Sequence, residues 1–438
     1  MSSPTAVRAV PWATEHLGLT LAHVGSDTGL TIPELVEPGL RRNPRRAHLL
    51  VSTVLGKHVP TDPGAVIGAG DRLGDLVADV LGPDADPVVL GFAETATGLG
   101  HCVAARLRAR CYLHSTRRDV PEIGTSAGFE EGHSHATSHQ LQPTSVELFT
   151  GDRPLVLVDD EISTGATAVD AIRALHRQNP RSRYVVASLV DMREQGHRDT
   201  VDAAAAELGV QIDSVSLAVG RTELPGGLID SVGALPEPVL NPVGERTGTV
   251  ERADIPWPAT VPEGGRHGFL REDTEEFDAA VTSAAAVLLD RLDPQRPVIV
   301  VGHEELMYLP LRLADALATS GFRVRFQTTT RSPAYVLDRP GYPLRRGFRF
   351  TAPENGEQQP RFVYNAQWPD EDAVVVAVID AAADTERLTA AGGLLDVLTA
   401  SGTDVLLAVV SGFDPLSLRA ARAATAAPPK TTRPGAPT

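Results

Sequence analysis

Short apolar runs separated by helix-length stretches constrain this chain more than any other feature. Residues 87–90, 111–113, 154–158 and 184–190 read as strands, with helices predicted over 101–110 and 168–177. Strands that alternate with helices at this spacing need crossover connections. The expected fold is therefore α/β, a parallel, doubly wound sheet flanked by helices. The pattern returns later, with strands at 298–301, 324–327, 373–379 and 404–410. At 438 residues and 42% apolar, the chain is long enough to bury two such cores. The expected organisation is a first domain over 1–235, a Pro/Gly-rich linker or wrap over 236–270, a second α/β domain over 271–422 and a frayed tail over 423–438.

The two halves share more than spacing. Gly91-Phe92-Ala93-Glu94 matches Gly302-His303-Glu304-Glu305, at an offset of 211. His114-Ser115-Thr116-Arg117 matches Thr328-Thr329-Thr330-Arg331 at 214, and Val156 to Asp160 matches Val376 to Asp380 at 220. Any two α/β units share some strand spacing. The repeated Thr-Arg after the second strand favours a duplication whose second copy is degenerate. Different strand orders in the two lobes would refute it.

Charge limits the partners. The net charge of -16 excludes a general nucleic-acid or anionic-membrane surface. Of 40 basic residues only Lys57 and Lys430 are lysines. Two cysteines in no recognisable spacing fit a reducing compartment, and no apolar run suits a signal peptide or a membrane span. A cytoplasmic protein is expected.

The segment from Leu155 to Thr167 carries the most chemistry. A buried strand delivers Asp159 and Asp160 at its carboxyl end. Ser163, Thr164, Gly165, Ala166 and Thr167 then form a turn into a helix. Free amides at a helix start favour a phosphate, and glycine lets the backbone approach it closely. The two carboxylates repel a phosphate, so they must face ribose hydroxyls or a metal. A sugar phosphate satisfies both ends. The plainer reading is an acidic turn with Ser163 or Thr164 capping the helix.

This segment resembles the phosphoribosyl-pyrophosphate motif of type I phosphoribosyltransferases, with the likeness extending over roughly residues 25–225. The wider pattern is similar to the orotate phosphoribosyltransferase-like proteins of tellurium-resistance and stress-response systems, which carry an appended TRSP domain. Residues 39–48 and 55–58 resemble their N-terminal segment, and residues 302–305 and 328–333 their appended domain. The resemblance implies that Asp159 and Asp160 hold the ribose hydroxyls and Ser163 to Thr167 the 5-phosphate. It implies a pyrophosphate loop at Glu94, Thr95, Ala96, Thr97 and Gly98, with Arg117 and Arg118 as diphosphate contacts. A solvated strand end is the plainer reading of the two arginines.

Residues 129–139 lie where the family has a mobile catalytic loop. The loop offers His133, His135 and His139 but no lysine or arginine. Three readings stand: histidine proton donors to the departing diphosphate, a zinc site, or a polar loop. Arg41, Arg42, Arg45, Arg46 and Lys57 form a basic segment suited to a hood over the acceptor or to an arginine donated across a dimer interface, with a solvated basic helix as the plainer reading. In the second lobe, Ile379 stands where the first acid would be and the following turn lacks glycine, so no phosphoribosyl-pyrophosphate site is expected there. His303, Glu304 and Arg331 are candidate contacts for a second ligand.

The expected activity is transfer of ribose 5-phosphate from phosphoribosyl pyrophosphate to a nitrogenous acceptor, or the reverse. Mg2+ would be held mainly through the substrate, with Asp159 and Asp160 as protein ligands. The acceptor is not identified by these residues, and a homodimer is compatible with them. The main alternative is a regulator that senses phosphoribosyl pyrophosphate without turnover. A pyrophosphokinase would need an ATP site, and the sequence has no P-loop.

Overall fold

The computed structural model describes residues 9–118, 120–130 and 138–426. Its first lobe holds strands β1 (Thr20–Gly25), β2 (Val36–Leu40), β3 (His48–Ser52), β4 (Val88–Gly91), β5 (Cys111–His114), β6 (Ala127–Glu130), β7 (Ser138–Leu141), β8 (Leu155–Ile162), β9 (Arg183–Asp191) and β10 (Gln211–Glu223). Helices α1 (Trp12–Leu17), α2 (Ile32–Leu35), α3 (Pro63–Leu81), α4 (Thr97–Leu107), α5 (Ala166–Gln178), α6 (Gln195–Leu208) and α7 (Leu228–Gly233) accompany them. Then come β11 (Val250–Pro256), β12 (Phe269–Leu270), α8 (Thr274–Leu289), β13 (Val298–Gly302), α9 (Tyr308–Thr319), β14 (Val324–Thr328), β15 (Gly347–Thr351), β16 (Pro360–Tyr364), β17 (Val374–Asp380), α10 (Leu394–Ala400), β18 (Asp404–Ser411) and α11 (Pro415–Ala426).

The main sheets run β1-β10-β9-β8-β4-β5-β12 and β11-β18-β17-β13-β14. Every neighbour pair from β10 to β5, and every pair in the second sheet, is parallel. All of these but β10 and β11 are largely buried, and they are the near-continuous apolar runs read from the sequence. The order β9-β8-β4-β5 recurs as β18-β17-β13-β14, as a duplication requires. The fifth strand differs in origin. β10 follows β9 in the chain, whereas β11 precedes its whole lobe.

The interval 236–270 is therefore no plain linker. β11 joins the second sheet as its edge, and β12 pairs antiparallel with β5 of the first. A single apolar cluster runs through both lobes, taking in Val89, Leu99 and Tyr112 with Val300, Leu309 and Phe326. At its centre α4 meets α9. A Cβ on Gly98 would lie 3.0 Å from that of Met307, and the His101 ring stacks on Tyr308 at 3.6 Å.

Candidate active site

The carboxyl end of β8 opens into a cleft of about 710 Å³. Leu155 to Val158 are fully buried, and Asp159, Asp160 and Glu161 emerge half-buried. The Asp160 amide donates to Asp159 Oδ1 at 2.9 Å. Burial, then the neighbouring Asp160, pushes the Asp159 carboxyl well above its ordinary range. Burial also raises Asp160, against the pull of Lys57. The chain turns at Gly165, whose φ of 80° suits glycine, and α5 begins at Ala166. Thr164 Oγ1 accepts the Ala166 amide at 3.3 Å. Ser163, Thr164, Gly165 and Thr167 all line the cleft, and Ala166 does not. Behind the turn, buried Asp191 accepts both Arg193 Nε and Nη2 at 2.9 Å, and Arg193 Cδ lies 3.4 Å from where a Gly165 Cβ would sit.

The loop after β4 divides between two directions. Thr95 faces the cleft, where its hydroxyl accepts from Lys57 Nζ. Glu94 is buried and turned to the second lobe, accepting from Thr330 Oγ1 and, at 3.1 Å, from the Arg331 amide. Ala96, Thr97 and Gly98 are buried at the start of α4 and do not line the cleft. The peptide bond between Ala93 and Glu94 is cis.

The two arginines after β5 also part. Arg117 lines the cleft. Arg118 turns away, donating to Asp380 Oδ2 at 2.5 Å and Glu354 Oε1 at 2.6 Å. His133 and His135 lie outside the described residues. His139 is fully buried, its Nδ1 2.8 Å from Ser115 Oγ, which in turn accepts the Ala93 amide at 2.9 Å.

A hood covers the cleft from outside the main sheet. β2 and β3 pair as an antiparallel hairpin, and its connection brings Arg41, Arg45 and Arg46 over the carboxylates. Arg46 Nη2 donates to Glu161 Oε1 at 2.6 Å, tying hood to sheet. Arg42 faces elsewhere, bound to Glu237 and the Leu235 and Pro236 carbonyls. Residues the sequence reading missed also line the cleft, notably His58, Phe92, Glu161 and Ser332. Glu161 had a signal in being the third consecutive acid. Ser332 had only its place after Arg331.

Two segments of the chain match known families. Residues 35–221 match the family described as phosphoribosyl transferase, and residues 263–398 match the TRSP domain found C-terminal to it. The chain thus carries a phosphoribosyl transferase match followed by a TRSP match. No curated protein matches it. Among solved structures, it is similar to adenine phosphoribosyl transferase from Trypanosoma brucei, solved with AMP, pyrophosphate and ribose-5-phosphate, at 16% identity and a TM-score of 0.32, over 42% of this chain and 77% of that one. The enzyme from Rhodothermus marinus is 17% identical with a TM-score of 0.29, over 42% of this chain and 94% of that one. That from Giardia lamblia, solved with 9-deazaadenine, is 15% identical with a TM-score of 0.30, over 42% and 93%.

In the TRSP domain the candidate ligand contacts are occupied by one another. Glu304 accepts from Arg361 and, at 3.0 Å, from Arg331 Nη2. His303 lies 2.9 Å from both Thr329 Oγ1 and Glu354 Oε1. His303, Glu304 and Glu354 bring ligand atoms within 4.8 Å of one another, but arginines already neutralise both glutamates. Asp380, at the end of β17, is filled in the same way by Arg118. Among the described residues, no helix is long and apolar enough to cross a membrane.

Proposed function

We propose that this chain is a Mg2+-dependent phosphoribosyltransferase acting on phosphoribosyl pyrophosphate and an anionic, nitrogen-containing acceptor. The observation that carries this reading is one cleft holding Asp159, Asp160, the hydroxyl-lined turn before α5, Thr95, Lys57 and Arg117. The turn amides and the hydroxyls of Ser163, Thr164 and Thr167 receive the 5-phosphate. Asp159 and Asp160 accept from the ribose hydroxyls, which relieves a carboxylate pair left short of partners. Lys57 and Arg117, which line the same cleft, are the cations for the diphosphate that departs as the C1–O bond breaks. The acceptor nitrogen attacks C1 from the side of the hood, and closure by the hood excludes water from a cation-like centre.

The donor set suits a hard cation, since the pair is oxygen-only and destabilised by its own charge. Bound Mg2+ would neutralise the diphosphate, with Asp159 and Asp160 the chain's contribution to holding it. The acceptor's charge follows from the hood. No carboxylate of the described residues lies within ion-pairing distance of Arg41 or Arg45, although Arg46 and Arg42 are both paired. Guanidinium groups without a direct carboxylate partner, Arg41 holding only the Arg46 carbonyl through Nε, favour a carboxylate- or phosphate-bearing acceptor.

Calorimetric titration with phosphoribosyl pyrophosphate and Mg2+ tests the first half. The Asp159→Asn/Asp160→Asn double variant should lose about 100-fold in affinity, as two charge-assisted hydrogen bonds of about 1.5 kcal/mol each imply. Diphosphate release across a panel of neutral and anionic bases tests the second. Binding without release from any of them would favour a sensor over an enzyme.

A further inference from the structure

The lobes meet through contacts that repeat when the lobes are exchanged. Glu94 of the first accepts from the Thr330 hydroxyl and, at 3.1 Å, from the Arg331 amide. Glu305 of the second accepts from the Thr116 hydroxyl at 2.7 Å and the Arg117 amide at 2.8 Å. Around each, the same support recurs. The Ala93 amide donates to Ser115 Oγ at 2.9 Å, and the Glu304 amide to Thr329 Oγ1 at 3.0 Å. Edges cross over as well. Thr61 of the first lobe bridges to Phe326 on β14, and Phe269 pairs with Tyr112 on β5. The Thr328 amide donates to the Gly56 carbonyl at 2.8 Å, and the His114 amide to that of Gly265 at 3.1 Å. Residue-for-residue exchange of this kind is the signature of a twofold, isologous interface, here written within one chain.

One pair breaks the symmetry. Arg118 and Ser332 follow the matching Thr-Arg steps, and their amides donate to Thr116 Oγ1 at 3.0 Å and Thr330 Oγ1 at 3.1 Å. Arg118 crosses into the second lobe and fills the end of β17, whereas Ser332 crosses into the first and lines the open cleft. One site is closed by a guanidinium and the other is left open by a small hydroxyl.

From this we infer that the TRSP domain is a built-in second subunit, and that Glu305 is a positioning residue that fixes Arg117 in the cleft for the diphosphate. The inference rests on the sugar-phosphate reading above. It makes the chain a one-site unit completed by its own second lobe. Glu305 is suited to the task, being buried and held ionised. Burial alone would raise its carboxyl, but Arg266 and its other cationic and amide neighbours bring it down to about 2.

The test uses the full chain and phosphoribosyl pyrophosphate with Mg2+. Glu305→Gln should raise the substrate Kd and KM about tenfold with kcat nearly unchanged, the mark of lost uniform binding. Glu305→Asp should recover most of that loss. In a double-mutant cycle Glu305→Gln should add little to Arg117→Ala, because both remove one interaction. Should Glu305→Gln not fold, Thr116→Val carries the same cycle, removing the hydroxyl that donates to Glu305 and accepts the Arg118 amide. A wild-type chain that binds no phosphoribosyl pyrophosphate overturns the functional reading and this role with it. Wild-type binding matched by Glu305→Gln, or full additivity with Arg117→Ala, overturns this role alone.

Discussion

β8 and β17 end alike and keep opposite company. Each delivers an aspartate at the same level of its sheet, Asp160 in one and Asp380 in the other. Burial acts to raise both. In the first lobe burial wins and the Asp160 carboxyl stays high. In the second, Arg118, Arg266 and His303 outweigh it and Asp380 is held below its ordinary range. A charge with its partners already in place does structural work. A charge left short of partners, beside an open cleft, is poised for something that arrives. The same strand end thus serves as a fastener in one lobe and as a receptor in the other.

Variants at the two ends should move stability in opposite directions. The largest effect is expected from Asp380→Ala, which takes one of two close carboxylate partners from buried Arg118 and leaves it Glu354. Its loss should be about 3–5 kcal/mol in urea unfolding, the usual cost of removing one partner of a buried pair. A neutral result would mean that Arg118 relaxes to solvent and that the second site is not closed. Asp159→Asn should do the reverse in the ligand-free chain. Its raised carboxyl is a burden that grows as pH climbs, so removing it near neutral pH should lift Tm by roughly 1 °C, equivalent to about 1 kcal/mol. The same variant should lose phosphoribosyl pyrophosphate binding, and scanning calorimetry with and without ligand reads both.

The smallest effect concerns Glu263, which lies 3.7 Å from Arg266. Burial and Asp380 push its carboxyl up to about 7, against Arg266 and Arg118. A raised carboxyl binds its proton more tightly in the folded state. Its contribution is therefore complete below the unfolded value near 4.5 and fades as pH rises through about 7. Glu263→Gln should flatten the Tm profile across pH 5–8 and be relatively more stable at the alkaline end. An unchanged slope would remove Glu263 from the account.

Much of this was legible in the sequence because burial on two faces leaves long apolar runs. All eight such runs became strands within a few residues of their expected limits. The acidic turn was legible for a different reason, since its chemistry is contiguous from Asp159 to Thr167. What escaped was non-local or alternating. Arg117 and Arg118 look equivalent in sequence, yet neighbouring side chains at a strand end point to opposite sides, and only one reaches the cleft. The bond from Arg46 to Glu161 spans 115 residues and has no local signature. β11 hid within the Pro/Gly-rich interval because an edge strand is half-exposed, with only Ala253 and Ile255 buried. Glu94, expected at the pyrophosphate, instead joins the lobes, a partnership visible only once the second lobe is in place.

The two-residue strand β12 has a consequence out of proportion to its length. It caps the outer edge of β5, and it reaches that edge from beyond the first lobe's own sequence. Dividing the chain between its two family segments, before Phe269, would uncover the β5 edge and remove the partner of Glu94 in one cut. The resulting fragment would carry a bare row of backbone donors and acceptors, a template for sheet extension between molecules. The boundary at which the families part is thus a place where the protein divides badly, and its two lobes are expected to express and to be engineered as one unit.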